Sequence, residues 1–479
     1  MNSLKPLQWA GIVLGASLAL YFLYSHMQYF GDVTFLGGIL LLEVIIASFW
    51  KYDQRFFVLL VIAFLWSGMY VPLRGSWTTG RWLVLSSGAV VGCIVWTKTP
   101  RKPFGSLHLI AFFCICAAFV SATVSAYIQM ASLKALSLFL LFLYCATGAR
   151  LAVLGREGRF FRGLLWGSEI AVYITAICYF GLRDRIWGNP NSLGAAMSIG
   201  VFPILLWGWF TSDAPKVRFR RLAALLLCAY LVLFSMARAG MASVLLVTLV
   251  FVFCLRQYKL LAKLAALALL LVAVTGVFAP ESLNQHLGDL KDAVLYKGHK
   301  EEGVLGSRRT PWEKSIAAIK THPLFGTGYG TSPTGGDPRS DYRMISSNTE
   351  VAREHGSSYM AIAEWVGLLG VLPFVALLAV TVSNAWKAFA WMKRTRDPRH
   401  YSIPLAMVVL SGLVHASFED WLFAVGYYLC VYFWFFAFVL ADLVPAAVAV
   451  PLAGVVSRPS PSSPAGFGAV VPNLLVPNR

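Results

Sequence analysis

Apolar residues in this chain do not alternate with polar ones; they come in runs of about 16 to 25 separated by short polar connections. Unbroken runs of that length predict helices that cross a bilayer, and the absence of a period of two argues against a membrane barrel. The candidate spans are residues 9–26, 32–49, 56–73, 82–96, 108–127, 133–149, 163–182, 192–210, 222–236, 241–255, 260–278, 359–386, 404–416 and 422–443. Hydropathy thus allows up to 14, but several are short enough to be half-helices, so about 12 transmembrane helices are expected. The expected fold class is all-α, a polytopic integral membrane protein. Residues 1–5 lead into an apolar stretch with no small-residue cleavage site, so the first helix is expected to stay as an anchor.

Composition supports this reading. The chain of 479 residues is 58% hydrophobic and only 13% charged, with a mean hydropathy of +0.68, whereas soluble domains carry about 25% charged residues. The net charge of +18 would suit a nucleic-acid partner if it were gathered on one surface. Instead the Lys and Arg residues lie in short loops at 51–55, 98–102, 150–162, 216–221, 256–263 and 387–399, all on one side when connections alternate. By the positive-inside rule that side is cytoplasmic, with both termini on it, and nucleic acid is excluded as a partner. The loops at 25–30, 74–81, 183–191, 237–239 and 279–356 then fall outside. The expected organisation is a transmembrane bundle at 1–278, an outer loop domain at 279–356, further transmembrane helices at 357–444 and a disordered, Pro-, Ala- and Ser-rich cytoplasmic tail at 445–479.

The segment 279–356 is the one long polar stretch, with ten basic and ten acidic side chains. Residues 311–320 are expected to form a short amphipathic helix with Trp312, Ile316 and Ile319 on one face. Gly326, Gly328, Gly330, Gly335 and Gly336 predict a flexible loop allowing close approach. The eight cysteines lie in or beside apolar runs, which predicts core thiols and no disulfide framework.

Candidate chemistry gathers around this segment. His355, at the foot of the helix that re-enters the membrane, is either a general base or a capping and packing histidine. Arg238, between two apolar runs, needs an anion from elsewhere in the fold. Arg308 and Arg309 add guanidinium forks suited to phosphate, with snorkelling to lipid headgroups as the bland alternative. Asn189 and Asn191 in GNPNSLG (188–194) are helix caps or amide contacts to a ligand. His322, Tyr329 and Tyr359 are possible substrate contacts. Glu43, Glu169, Glu364, Glu419 and Asp442 are acids in apolar surroundings and functional candidates, and His415 and Glu419 are expected to share a helix face at i and i+4 and to make a structural hydrogen bond near the outer rim. No metal-ligand spacing, P-loop or dinucleotide motif is present, so neither a metal nor a cofactor is expected.

In this order, GNPNSLG, the SxxRxG turn at 235–240, RxxxW at 308–312, HPLFGTGYG (322–330) and a histidine at the foot of an inward-running helix resemble the O-antigen ligase and polymerase superfamily. The resemblance spans roughly residues 188–370. It implies a GT-C-like, metal-independent, inverting glycosyltransferase of the Gram-negative inner membrane, working at the periplasmic face. The implied partners are an undecaprenyl diphosphate-linked O-antigen donor, a lipid A-core acceptor and membrane lipids. Carried across, the catalytic histidine falls on His355 and the diphosphate-binding arginines on Arg238 and Arg308. Gly356 departs from the asparagine many relatives have after that histidine. No extended C-terminal domain of the protein-modifying relatives is present, which favours a ligase over an O-oligosaccharyltransferase; the polymerase is the nearest rival. A lipid-linked glycan flippase is the rival of another class, but it would need polar residues through the membrane depth and repeated halves.

Overall fold

The computed structural model describes residues 53–71, 74–98, 102–259, 262–263, 266, 306–332 and 354–445. The expected spans 9–26 and 32–49, nearly all of 260–278, Glu43, Gly335, Gly336 and the tail beyond 445 lie outside the described residues. Among the described residues the structure is all helical: α1 (Asp53–Gly68), α2 (Arg74–Lys98), α3 (Ser106–Thr123), α4 (Ile128–Ala146), α5 (Gly148–Val153), α6 (Glu157–Ala176), α7 (Pro190–Ala195), α8 (Phe202–Thr211), α9 (Pro215–Phe234), α10 (Arg238–Leu255), α11 (Gly306–Thr321), α12 (Ser358–Thr395), α13 (Ser402–Ala416) and α14 (Tyr428–Leu443). Among the described residues seven helical stretches are long and apolar enough to cross a membrane: Gly80–Lys98, Ser106–Thr123, Ile128–Val153, Glu157–Gly181, Pro190–Thr211, Arg238–Leu255 and Ser358–Thr395. The chain is a polytopic membrane protein.

The bundle is built around α14, whose Phe433, Trp434, Phe435 and Phe436 are all fully buried. A helix apolar on every face belongs in the middle of a bundle. Phe435 lies 4.0 Å from Phe57 of α1 and Trp434 5.2 Å from Phe142 of α4, ring centre to ring centre. The indole N–H of Trp434 donates to the Leu422 carbonyl at 2.7 Å, so its one polar atom is satisfied.

The basic loops collect at one end. Arg150, fully buried, pairs with Asp442 of α14, donates to the carbonyls of Lys102 and Pro103 and stacks on Trp96. Trp207 donates to the Pro398 carbonyl, Arg399 pairs with Asp213, and Glu169 meets Arg220 and Arg221. Glu169 and Asp442 are therefore counter-ions that tie cationic loops together, and the rule that a buried charge needs a partner explains both.

Two helices are interrupted inside the bundle. Between α7 and α8 a π-helical segment, Ala196–Val201, frees carbonyls that Ser411 (to Ser198, 2.8 Å), Tyr432 (to Gly200, 2.7 Å) and Cys228 (to Met197, 3.5 Å) each satisfy. In α12 the chain breaks at Gly367, with φ +67°. The backbone of 323–328 inserts there: Thr327 and Gly328 donate to the carbonyls of Glu364 and Trp365, while Leu368 and Leu369 donate to those of Pro323 and Leu324. Irregular backbone is tolerated at membrane depth only when protein satisfies it, and this exchange does so.

Several expectations change accordingly. Gly326, Gly328 and Gly330 are a packed splice and not a flexible loop: all three have positive φ, and a Cβ on Gly326 would come within 2.3 Å of the Trp365 carbonyl oxygen. Gly326→Ala should therefore cost more than about 1 kcal/mol, from backbone strain plus the clash; a thermal melt of the purified protein in detergent no lower than wild type would disprove the splice. Helix α11 starts at Gly306, five residues earlier than expected, and buries Ser315 while Ile316 is 45% exposed. The run 422–443 is not one helix. Residues 417–427 are irregular but packed, and α14 begins at Tyr428. Because α13 ends at Ala416, His415 and Glu419 do not share a helix face; His415 Nδ1 accepts the Trp421 indole N–H instead. All eight cysteines are free, and Cys116 faces outward where a core position was expected.

Candidate active site

The site is assembled from segments that sequence keeps far apart. Arg308 lies in the first turns of α11, His355 just before α12, residues 417–427 between α13 and α14, and Arg238 opens α10. The turn 188–194 completes the end of the bundle away from the basic loops.

Arg308 is held by two acids. Its Nη1 donates to Glu354 Oε1 and its Nη2 to Glu419 Oε1, each at 2.5 Å. Glu419 Oε1 also accepts from Asn191 Nδ2 at 3.2 Å, which draws the 188–194 turn into the cluster. Burial, aided by the neighbouring Glu354 and Asp420 carboxylates, holds Glu419 above the usual carboxylate range despite Arg308. Arg238 is half-buried at the start of α10 and close enough to Arg308 to feel its charge. Arg308 is charge-compensated by its two carboxylates, and Arg238, at the N-terminus of α10, is the second guanidinium near enough for its charge to matter to the first.

His355 is fully buried, between two acids. Its Nδ1 lies 3.1 Å from Asp420 Oδ2, and the same carboxylate oxygen accepts the His355 backbone N–H at 2.9 Å, fixing ring and main chain together. On the other side Nε2 lies 3.0 Å from Ser332 Oγ and 3.4 Å from Glu364 Oε1. The Trp365 ring meets the imidazole edge-on at 5.3 Å. Burial disfavours charging the ring, but the hydrogen bonds and charges of Asp420 and Glu364 outweigh it, so the His355 pKa is raised above its usual value. Burial raises the Asp420 carboxyl, but its bonds from the His355 ring and amide win and hold it below the usual range.

Gly356 joins the two clusters. Its φ is +66°, its carbonyl accepts the Trp312 indole N–H at 3.3 Å, and a Cβ there would sit 3.0 Å from Arg308 Cδ. Glycine meets that left-handed backbone without the strain a side chain would bring.

The remaining candidates separate. Asn189 caps α7, its side chain accepting the Asn191 N–H at 2.8 Å. Arg309 is 74% exposed and pairs with Glu313 one turn along α11, so it does not join Arg308 in the cluster. His322 is exposed beside the Thr321 hydroxyl, and its carbonyl closes the turn to Gly326. Tyr329 is a core residue, 1% exposed, with its hydroxyl donating to the Phe423 carbonyl at 2.8 Å. Tyr359 donates to the Leu413 carbonyl. Asp420 and Ser332 were not singled out from the sequence. Asp420 carries a signal, since an acid in an apolar run is a functional candidate and its neighbour Glu419 was selected on that ground. Ser332 carries none.

Among the described residues no group of three or more His, Cys, Asp or Glu side chains is placed to hold a metal ion. An apolar cavity of about 290 Å³, lined by Phe57, Gly163, Gly167, Trp187, Gly200 and Tyr428 among others, includes none of the residues of the polar cluster. No curated protein matches the chain. Residues 223–375, which include Arg238, Arg308, His355 and Glu364, match a family model described as O-antigen ligase, and the match supports a place for the chain in the O-antigen ligase/polymerase superfamily.

Proposed function

We propose that the protein is an O-antigen ligase of the inner membrane, a GT-C-like enzyme that moves a glycan from undecaprenyl diphosphate to a sugar hydroxyl of lipid A-core at the periplasmic face. In this reading His355 removes the acceptor hydroxyl proton as that oxygen attacks the anomeric carbon. The bond from carbon to the diphosphate oxygen breaks with inversion, and undecaprenyl diphosphate leaves against Arg238 and Arg308. The observation that carries it is the meeting of these three residues, from α10, α11 and the foot of α12, at one end of the bundle. A nucleophile's proton and a departing dianion are thereby served side by side.

Asp420 fits the role of a positioning residue, since it holds Nδ1 and leaves Nε2 to act. Nε2 is bonded to Ser332 Oγ, so the acceptor's proton reaches the ring through that hydroxyl. The reaction as written needs no metal.

The lipopolysaccharide of a deletion strain tests this reading. Free lipid A-core together with accumulated long lipid-linked polymer is the expected result; core bearing a single repeat would make the protein a polymerase. The orientation has its own test. A single cysteine replacing exposed Glu313 on α11, in a background otherwise free of cysteine, should react with an impermeant thiol reagent in intact spheroplasts, and protection there would reverse the topology.

A further inference from the structure

Beyond His355 and its Asp420, three fully enclosed groups form a chain whose hydrogens can be counted. Ser332 Oγ lies 3.0 Å from His355 Nε2 and donates to Glu364 Oε1 at 2.9 Å. His355 and Glu364 are 0% exposed and Ser332 is 1% exposed. A neutral imidazole that gives its one hydrogen to Asp420 presents a lone pair at Nε2. Ser332 then has a single hydroxyl hydrogen for two acceptors, Nε2 and the Glu364 carboxylate, and one of these contacts is left without a hydrogen. One further proton completes every bond: Nε2–H donates to Ser332 Oγ, and Ser332 O–H donates to Glu364. In the structure both contacts lie within hydrogen-bond distance, so Ser332 links Nε2 to the Glu364 carboxyl whichever way its hydrogen points.

We propose that Ser332 and Glu364 form a proton relay with His355, in which Glu364 acts through Ser332 as a positioning residue that raises the demand of Nε2 for the acceptor's proton. The balance is simple. The acceptor O–H proton passes to Ser332 Oγ as the serine's own hydrogen passes to Nε2, and the chain gains one proton while the acceptor oxygen forms its new bond to carbon. The break in α12 serves this end, because Glu364 lies three residues before Gly367 and its carbonyl anchors the strand that carries Ser332, through the Thr327 N–H. Among the described residues, the charged and titratable groups facing the imidazole are Asp420 from 417–427 and Glu364 from α12; Arg308, the adjacent cation, is turned to Glu354 and Glu419. This inference rests on the general-base reading of His355.

The test is the pH profile of glycan transfer in reconstituted vesicles, using lipid-linked donor and lipid A-core. Glu364→Gln keeps the shape and still accepts from Ser332 but removes the charge. Its acid limb should move to lower pH by roughly one unit or more, because a nearby carboxylate stabilises the imidazolium by about that much. Ser332→Ala should move the limb the same way, and Ser332→Thr should return it to the wild-type position. Acid limbs for Glu364→Gln and Ser332→Ala that coincide with wild type would overturn the relay and leave Glu364 a packing residue. If Glu364→Gln does not accumulate in the membrane, the Ser332 pair decides alone. A wild-type profile with no acid limb would instead remove the general-base reading, and the relay with it.

Discussion

Arg238→Lys is expected to lose nearly as much transfer activity as Arg238→Ala, on the order of 10²- to 10³-fold, the usual cost of removing one preorganised donor from a developing charge. Arg238 opens α10, where the helix dipole adds positive potential, and it already feels the like charge of Arg308. A dianion between them turns that repulsion into attraction. The guanidinium offers a planar fork to two phosphate oxygens, whereas an ammonium offers a point charge on a flexible stem. Arg308 differs, because Glu354 and Glu419 already occupy its fork. Glu354 is 63% exposed and easily displaced, while Glu419 is largely enclosed and tied to Asn191. The incoming diphosphate is therefore expected to replace Glu354 and keep Glu419. Transfer rate and donor binding measured together decide the point: if lysine at 238 retains most of the activity, the residue is only a charge anchor.

What the sequence disclosed and what it hid follow from the range of the interactions. Apolar runs declare helices because each run satisfies its own backbone, and Arg238 stands out as a charge between two such runs, whereas Arg308 and His355 lie in the polar segment and are marked by residue type and motif order. Asp420 did not stand out as an orienting group, because its meaning comes from a histidine 65 positions away and it lies in the short connection between the expected spans 404–416 and 422–443. The apolar run that follows it hid the irregular stretch 417–427, whose Trp421, Leu422, Phe423 and Val425 are buried as if they were helical core.

The break in α12 was equally silent. Glycine inside an apolar run is common in transmembrane helices, and nothing local to Gly367 announces that its neighbours exchange hydrogen bonds with Pro323 and Leu324. HPLFGTGYG did declare close approach through its glycines, but not its partner, so a packed splice was read as a flexible loop. Arg309 and Tyr329 were chosen by residue type alone, and the fold gave one to an exposed helical pair and the other to the core.

His355→Ala is expected to abolish glycan transfer, by about 10² to 10⁴-fold, while protein remains in the membrane and donor binding stays largely intact. Binding and turnover are expected to separate because, in the proposed mechanism, guanidinium groups and not the imidazole hold the diphosphate. The pH dependence sharpens the test, with opposite signs for activity and stability. A base must be neutral, so wild-type activity should rise with pH through a midpoint above the ordinary histidine value of ~6.5, since Asp420 and Glu364 raise the pKa. Stability runs the other way. A group with a raised folded pKa contributes its full stabilisation below ~6.5 and loses it as pH climbs through the higher folded value. Wild-type protein in detergent should therefore become less heat-resistant over the window in which it becomes active, and His355→Ala should lack that slope. Vesicle transfer, lipid-donor binding and melting temperature across pH give the three readouts. A variant that transfers at the wild-type rate, or that loses donor binding as fully as turnover, would end the assignment of His355 as the base.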